Sequence, residues 1–398
     1  MGISGLTGLI GDLCDIDTKS LTQVSNGFDE VAIDTSIFLY RFLHNSESDA
    51  QYVMNIIKFI IKLKELMLEP IFVLDGRSGK EKASTQNKRR QQKQNIKDKI
   101  STLQIDMEEM TDDVIKNEMK VEMQKLIKKS ITITRHHIEL FKRTLTMLGI
   151  VYIHCKGEAD PLCAALVKQG VAKFCLSNDN DLLAHGCSIT CQNFRFSNNH
   201  VTVYQLKDIL ENLNINYEQF VDLCILLGTD YNRPLFGITP DIAYDCVAKY
   251  DNIETILNNL DKINSTIVKK YKDIELYKQK TIKNYKAKNI KNLKRPDTKS
   301  PDGFNYKKSR ELFKQEVNIK DNIQSTNLSD LTYEWIHSNE RLCNLEQFLI
   351  EIVELKPCEA KYKMQLINVI WSSVYYKKNS YNNKKYINTC DFQMLQHV

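Results

Sequence analysis

Short apolar segments that alternate with helical segments constrain the fold of this chain more than any other feature. Four of them read as buried strands: "DEVAID" from residue 29, "IFVLD" from 71, "VYIHC" from 151 and "AKFCLS" from 172. Helical spacing of apolar residues fills the intervals, at 52–68, 131–148 and 159–170. This alternation predicts an α/β fold with a central, mostly parallel sheet flanked by helices.

Acidic residues follow the ends of these predicted strands or begin the next helices. Ligands of parallel sheets bind at the carboxyl ends of the strands, so these positions are candidates for a functional site. Two pairs have i, i+2 spacing, which places both side chains on one face of an extended backbone. The seven acids are Asp34, Asp75, Glu158, Asp160, Asp179, Asp181 and Asp230.

Seven carboxylates at one edge of a sheet would repel one another unless cations lie among them. Oxygen ligands without His or Cys indicate Mg²⁺ or Mn²⁺, and two such ions form a phosphodiester-cleaving site. Taken singly, each acid is explained equally well by a helix cap or a turn. A lone Asp-x-Asp, as at Asp179, is also compatible with Mn²⁺ binding for a sugar nucleotide.

Composition narrows the class of protein. No apolar run reaches the ~20 residues that a membrane span needs, so we expect no membrane association. The N-terminal residues do not read as a signal peptide, and Leu6 stands where a myristoylation signal requires Ser or Thr. The 11 cysteines follow no disulfide or zinc pattern, which favours a reducing, intracellular compartment.

Two segments are strongly charged. Residues 77–99 carry nine Lys/Arg against two acids, and 106–122 carry seven acids against two lysines. This segment of about 76–130 is either a solvated helical pair or an arch with one basic arm that contacts phosphates. Residues 262–310 hold 16 Lys/Arg against four acids with interleaved tyrosines, which indicates either binding to a nucleic-acid backbone or an AT-rich genome.

Several blocks of this sequence resemble the XPG/flap endonuclease family of structure-specific 5′ nucleases. They are "MGISGL", "VAIDTS", "FVLDG", "GEADPLCA", "SNDNDLL" and "FVDLCILLGTDYNRPLFGITP", in the family's order and spacing over about residues 1–255. The resemblance implies a PIN-like 5′ nuclease fold with a helical arch insertion and a helix–two-turn–helix at about 220–260. It implies four regions: 1–105, 130–260, a basic insertion or linker at 261–330, and a C-terminal helical region at 331–398.

The resemblance also implies roles for individual residues. The seven acids match the family's metal ligands, with two Mg²⁺ ions per site and Mn²⁺ as a substitute. Lys82 and Arg89 match the two catalytic basic residues of the arch, where they would stabilise charge on the scissile phosphate. Tyr40 matches an aromatic residue that stacks on a base, and Gly2, Gly228 and Gly237 fall in DNA-binding blocks.

This sequence departs from the family pattern in three places. Asp160 stands where Glu is usual, so its carboxylate reaches one methylene less far. Thr239 in "GITP" replaces the second glycine of a hairpin that would bind K⁺. Threonine lacks the freedom of glycine at positive φ, so the sequence leaves open whether K⁺ binds here. No sliding-clamp motif is found, and we expect a monomer.

The expected function is that of a structure-specific, divalent-metal-dependent 5′ endonuclease or 5′→3′ exonuclease. It would act on 5′ flaps or branched DNA in replication, repair or recombination. Alternatives are a junction- or bubble-specific nuclease of the same superfamily and an inactive protein that binds branched DNA. The Lys/Asn/Ile-rich composition favours a compact, AT-rich genome such as a viral one, which places the protein in a host nucleus or at a viral replication site.

Overall fold

A computed structural model describes residues 2–77, 79, 82–110, 112–265, 304–331 and 338–382. In its first part the elements are α1 (Leu6–Leu13), β1 (Thr18–Ser20), α2 (Leu21–Val24), β2 (Glu30–Asp34), α3 (Thr35–His44), α4 (Asp49–Glu65), β3 (Glu69–Leu74), α5 (Ala83–Glu109), α6 (Asp113–Ser130), α7 (Arg135–Met147), β4 (Val151–Cys155), α8 (Ala159–Lys168) and β5 (Phe174–Leu176).

The second part of the chain continues the series. Its elements are α9 (Asp181–Ala184), β6 (Ile189–Gln192), β7 (His200–Gln205), α10 (Leu206–Leu213), α11 (Tyr217–Leu227), α12 (Pro240–Tyr250), α13 (Ile253–Asn258), α14 (Tyr306–Lys314), α15 (Ile319–Asn322), β8 (Ile323–Thr326), α16 (Asn339–Glu351) and α17 (Pro357–Asn382). Among the described helices, none is long and apolar enough to cross a membrane.

The chain divides into two compact units. The sheet unit comprises residues 20–177 and 318–398, and the helical unit comprises 1–19 and 178–317. The basic insertion expected at 262–310 lies mainly outside the described residues, as does the C-terminal end from 383.

The sheet unit contains a sheet in the order β5-β2-β3-β4-β8. Strands β5, β2, β3 and β4 are parallel, with Val31 beside Phe174 and Ala32 beside Ile71, while β8 joins the edge in antiparallel orientation. The predicted α/β class with a mostly parallel sheet is therefore confirmed. Because the four parallel strands are apolar on both faces, helices such as α4 and α8 cover them with their own buried residues.

The segment expected to form an arch is a pair of helices, α5 and α6, which contact each other. Asp112 caps α6 by accepting hydrogen bonds from the backbone N–H groups of Val114 and Ile115. An exposed ion pair joins the two helices, with 2.6 Å between Lys99 Nζ and Glu122 Oε1. No residue of α6 is buried, so apolar side chains such as Val114 and Ile115 are exposed along with the charged ones.

The helical unit is built around α11, whose residues from Phe220 to Leu227 are all buried. Helices α1, α12 and α14 pack on this core, and β6 and β7 form an antiparallel pair beside them. Asn216 and Gln219 form a reciprocal capping box at the start of α11, which sets where this helix begins.

Candidate active site

Asp34 lies at the carboxyl end of β2 and is 5% exposed. Its Oδ1 accepts a hydrogen bond from the backbone N–H of Ser36 at 3.3 Å, which caps α3. Its Oδ2 accepts from the hydroxyl of Ser177 at 2.7 Å. Two donors therefore hold both oxygens of a buried carboxylate at the end of a parallel strand, where ligands of such sheets bind.

Asp75 follows the end of β3, next to β2. One of its oxygens accepts a hydrogen bond from the hydroxyl of Ser36, and the other accepts from the backbone N–H of Ala159 at 2.8 Å. Ser36 thus contacts both Asp34, through its amide, and Asp75, through its hydroxyl. Ala159 lies between the two acids of the next pair, so the contact with Asp75 links neighbouring strand ends.

Gly76 brings the chain after β3 against the chain after β4. Its N–H donates to the carbonyl of Gly157 at 2.7 Å, and a Cβ on Gly76 would lie 2.0 Å from the carbonyl oxygen of Cys155. Only glycine permits this approach of two backbones.

Glu158 and Asp160 lie at the start of α8, where Glu158 is the N-cap and Asp160 is in the first turn. Lys82 reaches this pair from the N-cap of α5, with its Nζ 3.0 Å from Glu158 Oε2 and 4.0 Å from Asp160 Oδ2. All three side chains are less than 15% exposed. The expected arch lysine therefore meets two of the expected metal ligands.

These residues form a strongly negative site within the sheet unit. The pKa of the buried Cys155 thiol is raised, first by burial and then by the charges of Asp75, Asp160 and Asp34. Such a site attracts cations, and its donors are the hard oxygens that Mg²⁺ prefers. Within the described residues, however, no three or more His, Cys, Asp or Glu side chains are gathered into a formed metal cage.

Asp179 and Asp181 lie in the helical unit, at the start of the short helix α9. Asp179 Oδ1 accepts a hydrogen bond from the backbone N–H of Asp181 at 3.1 Å, and Asp181 is only 1% exposed. Between them Asn180 donates to the Thr7 hydroxyl at 2.7 Å and accepts from Gln192 at 3.0 Å. These contacts fix the backbone that carries the two acids.

Gly2 lies directly against this second pair of acids. A Cβ on Gly2 would be 2.2 Å from Asp179 Oδ1 and 2.8 Å from Asp181 Oδ1, and its φ is +88°. Both the close approach and the left-handed backbone require glycine. The second residue of the chain is therefore part of the carboxylate site of the helical unit.

Asp230 follows α11 in a tight loop of the helical unit. The flanking residues Thr229 and Asn232 form a backbone bridge and a 2.8 Å side-chain hydrogen bond. Asn232 also donates to the carbonyl of Ile225, which anchors the loop to α11.

The glycines expected near DNA have left-handed backbones, with φ +89° at Gly228 and +85° at Gly237. A Cβ on Gly228 would lie 2.7 Å from Pro234 Cδ. Thr239 stands where the family has the second glycine of its hairpin. Its φ is −115°, and its hydroxyl caps α12 by accepting a hydrogen bond from the N–H of Ile242. This position therefore does not use the backbone freedom of a glycine.

Tyr40, on α3, is 40% exposed and contacts the arch. Lys93 of α5 donates to its hydroxyl at 3.2 Å. Arg89 falls within α5, but its side chain lies outside the described part of the structure.

Sequence reasoning missed the hydroxyl donors Ser36 and Ser177, and it missed Lys93. Ser36 lies two residues after Asp34, and Ser177 lies two residues before Asp179. Their place in the same sequence blocks as these acids was the signal that could have identified them. Lys93 was one of nine basic residues in its segment, and nothing local distinguished it.

Comparisons with known proteins find similar sequences. A family model described as the XPG N-terminal domain matches residues 1–96, and one described as the XPG I-region matches 149–230. Flap endonuclease 1 of Homo sapiens is 30% identical over 275 residues, which cover 66% of this chain and 70% of that protein.

Two solved structures show the same fold. The catalytic core of Rad2 in complex with a DNA substrate superposes with a TM-score of 0.60 at 18% identity, covering 92% of this chain and 99% of that one. Human GEN1 in complex with Holliday junction DNA gives a TM-score of 0.57 at 16% identity, covering 93% of this chain and 78% of that one.

Proposed function

Because this chain belongs to the XPG/flap endonuclease family, we propose that it is a Mg²⁺-dependent 5′ nuclease that hydrolyses phosphodiester bonds in flapped or branched DNA. The observation that carries this proposal is the chain of contacts from Asp34 through Ser36 to Asp75, and from Asp75 through Ala159 to the Glu158/Asp160 pair beside Lys82. It combines acidic oxygen ligands with a basic residue that is suited to a phosphate.

The residues that would hold divalent cations are Asp34, Asp75, Glu158 and Asp160 in the sheet unit, and Asp179, Asp181 and Asp230 in the helical unit. When bound, Mg²⁺ or Mn²⁺ supplies a hydroxide nucleophile at neutral pH and offsets charge on the phosphate. The Ser36 hydroxyl, which donates to Asp75, and the Ser177 hydroxyl, which donates to Asp34, would orient these carboxylates for this role.

The arch residues supply positive charge. The Lys82 ammonium lies beside the carboxylates, where it would stabilise charge that develops on the scissile phosphate, and Arg89 is proposed to assist. Tyr40, a residue that is 40% exposed, is available to stack on a base next to the cleaved bond.

Backbone amides of the loop and helix from Gly228 to α12 are proposed to grip duplex phosphates. The left-handed Gly228 and Gly237 shape this segment, and K⁺ is a proposed ligand of it. A nuclear location and a monomeric state stay predictions from the sequence.

A panel of labelled substrates tests the proposal: a 5′ flap, a bubble, a four-way junction and plain duplex, each with Mg²⁺. We expect cutting near the branch of the flap, with a 5′-phosphate product. The Asp179→Ala variant should bind the flap but not cut it, whereas Asp12→Ala, an exposed acid on α1, should cut normally.

Equal cutting of plain duplex and flap would contradict structure specificity, and robust cutting by Asp179→Ala would contradict the site. Faster cutting of the four-way junction than of the flap would favour the alternative of a junction nuclease, and binding without cutting would favour an inactive branched-DNA binder.

A further inference from the structure

Lys93 joins three separate parts of the sheet unit at the base of the arch. Its Nζ lies 3.2 Å from the Tyr40 hydroxyl, 3.1 Å from the carbonyl oxygen of Ile131 and 3.5 Å from the Thr132 hydroxyl. An ammonium group has three donors, and these three acceptors match them in number. Lys93 itself is on α5, Tyr40 is on α3, and Ile131 follows the end of α6.

This contact set connects the first and last parts of the arch. Lys93 lies about three turns into α5, whereas Ile131 and Thr132 lie just after α6 leads the chain back. Helices α5 and α6 contact each other, and no residue of α6 is buried. A charged group that bonds both legs at their base therefore restricts how far the legs can separate.

The same group also restrains the ring of Tyr40. The ammonium is 3.2 Å from the hydroxyl but 5.0 Å from the ring centroid, so the contact is at the hydroxyl end of the ring. A half-exposed tyrosine otherwise has freedom about its side-chain torsions. Fixing its outer end prepares the ring for stacking before a base arrives.

We propose that Lys93 is a positioning residue that ties the two legs of the arch together and orients Tyr40 for the base beside the cleaved bond. This inference rests on the proposed function, because it assigns a purpose to the stacking residue and the arch. Lys93 acts through Tyr40 and the arch backbone and is not itself assigned a contact with DNA.

The first test uses the full chain without DNA, so its outcome does not depend on nuclease activity. Amide hydrogen exchange is measured for residues 83–95 and 128–134 in wild type, Lys93→Met and Lys97→Met. Lys97 is an exposed lysine one turn further along α5 and serves as the charge-matched control. We expect faster exchange in both segments for Lys93→Met only; unchanged exchange in that variant would overturn the proposal.

The second test uses 2-aminopurine next to the branch of a 5′-flap substrate, whose fluorescence reports stacking, together with single-turnover cleavage. Removal of a charge-assisted hydrogen bond is expected to reduce cleavage by about tenfold in Lys93→Met. Stacking should weaken in parallel, and Lys97→Met should resemble wild type. Equal losses in both lysine variants would show a general charge effect and overturn the positioning role.

A double-mutant cycle separates positioning from other effects. Tyr40→Phe keeps the stacking ring and removes only the hydroxyl that Lys93 contacts. We expect Lys93→Met to cost less in the Tyr40→Phe background than in wild type, because the hydroxyl contact is already lost. Strictly additive losses would contradict the coupling between Lys93 and Tyr40. A wild-type protein that cuts no flap would contradict the proposed function, and the hydrogen-exchange experiment alone would then test the role of Lys93.

Discussion

Arg310 holds Asp222 with two parallel hydrogen bonds, from Nε to Oδ1 at 2.8 Å and from Nη2 to Oδ2 at 2.7 Å. The same guanidinium donates to both oxygens of Glu254 at 2.9 Å. These carboxylates belong to α11 and α13, and Arg310 belongs to α14. A planar fork between two carboxylates is a geometry that only arginine provides. Arg310 therefore fastens α14 to the helix that leads into Asp230.

Replacing Arg310 should destabilise the helical unit. Burial raises the pKa of Asp222, and its hydrogen bonds with Arg310 only partly oppose that effect. The pKa of the more exposed Glu254 is lowered instead, mainly by its hydrogen bonds from Arg310. Arg310→Met leaves Asp222, 3% exposed, without its charged partner, and should lower the free energy of unfolding by roughly 3 kcal/mol.

The measurement is denaturant unfolding at neutral pH. Lys314→Met, which removes an exposed ion pair with Glu218 on the same helix, is the matched control and should have little effect. Arg310→Lys keeps the charge but loses the fork, so an intermediate loss is expected. A loss in Arg310→Met no larger than that in Lys314→Met would show that the network contributes little.

Gly76→Ala should damage both stability and activity. The new Cβ would be placed 2.0 Å from the carbonyl oxygen of Cys155, so one backbone must move at the point where Asp75 is held. We expect a loss of about 2 kcal/mol in the free energy of unfolding, as for overpacking, and a lower cleavage rate. Gly157→Ala, whose Cβ would meet no heavy atom within 4 Å, is the control. Thermal melts that are alike for the two variants would contradict this account.

The parallel strands and the acidic residues could be predicted from sequence because both depend on local patterns. Apolar runs of strand length give β2, β3, β4 and β5, and an acid beside each run marks the strand end. The antiparallel strand β8 could not be predicted in this way. Its four residues, "IQST", include only one buried side chain, and it is held at the edge through contacts with β4.

Interactions between distant residues explain what was missed at the site. Ser36 contacts Asp75 across 39 residues, and Ser177 contacts Asp34 across 143. Serines in loops are common, so their type alone carries no signal about a partner. The acids could be identified, but the donors that orient them depend on the order of strands in the folded sheet.

Gly2→Ala should reduce cleavage while the fold stays intact. Its Cβ would overlap Asp179 Oδ1 at 2.2 Å, and the φ of +88° disfavours any other residue. Because the carboxylate side chains must shift to make room for this Cβ, we expect a loss on the order of tenfold or more in cleavage rate. Gly8→Ala on α1, with open space around the new Cβ, should cleave normally. A fully active Gly2→Ala variant would show that the carboxylate site does not require glycine at position 2.

Acidification should weaken the start of α7 through His137. Its Nδ1 accepts a hydrogen bond from the N–H of Thr134 at 3.1 Å, which requires a neutral ring. Burial, and to a lesser extent the neighbouring His136, lower the pKa of His137, although Asp49 opposes them. The pKa of His137 is thus lower in the folded protein than in the unfolded chain, where it is about 6.5. The neutral ring therefore stabilises the fold at a pH above about 6.5, and this stabilisation is lost as the pH falls from about 6.5 toward the pKa of the folded state.

The variant His137→Gln tests this directly. Glutamine at this position preserves the reciprocal cap but does not titrate. The difference in unfolding free energy between wild type and His137→Gln should therefore change between pH 7.5 and pH 5.5, with wild type losing more. Effects of Asp49 and His136 are common to both proteins and cancel. A difference that is constant with pH would contradict the role of the neutral ring.

Removal of Mg²⁺ should change stability in a way that depends on Asp160. A ligand that binds only the folded state stabilises the protein by about 2.7 kcal/mol when its concentration is about 100 times its dissociation constant. Mg²⁺ should therefore raise the melting temperature of wild type, and a chelator should reverse this increase.

Asp160→Asn removes one negative charge from the carboxylate cluster beside Lys82. Without metal this variant should be as stable as wild type or slightly more so, because like charges repel, but its response to Mg²⁺ should be much smaller. Asp12→Asn, an exposed acid on α1, should respond as wild type does. An equal Mg²⁺ response in Asp160→Asn and wild type would exclude Asp160 as a ligand.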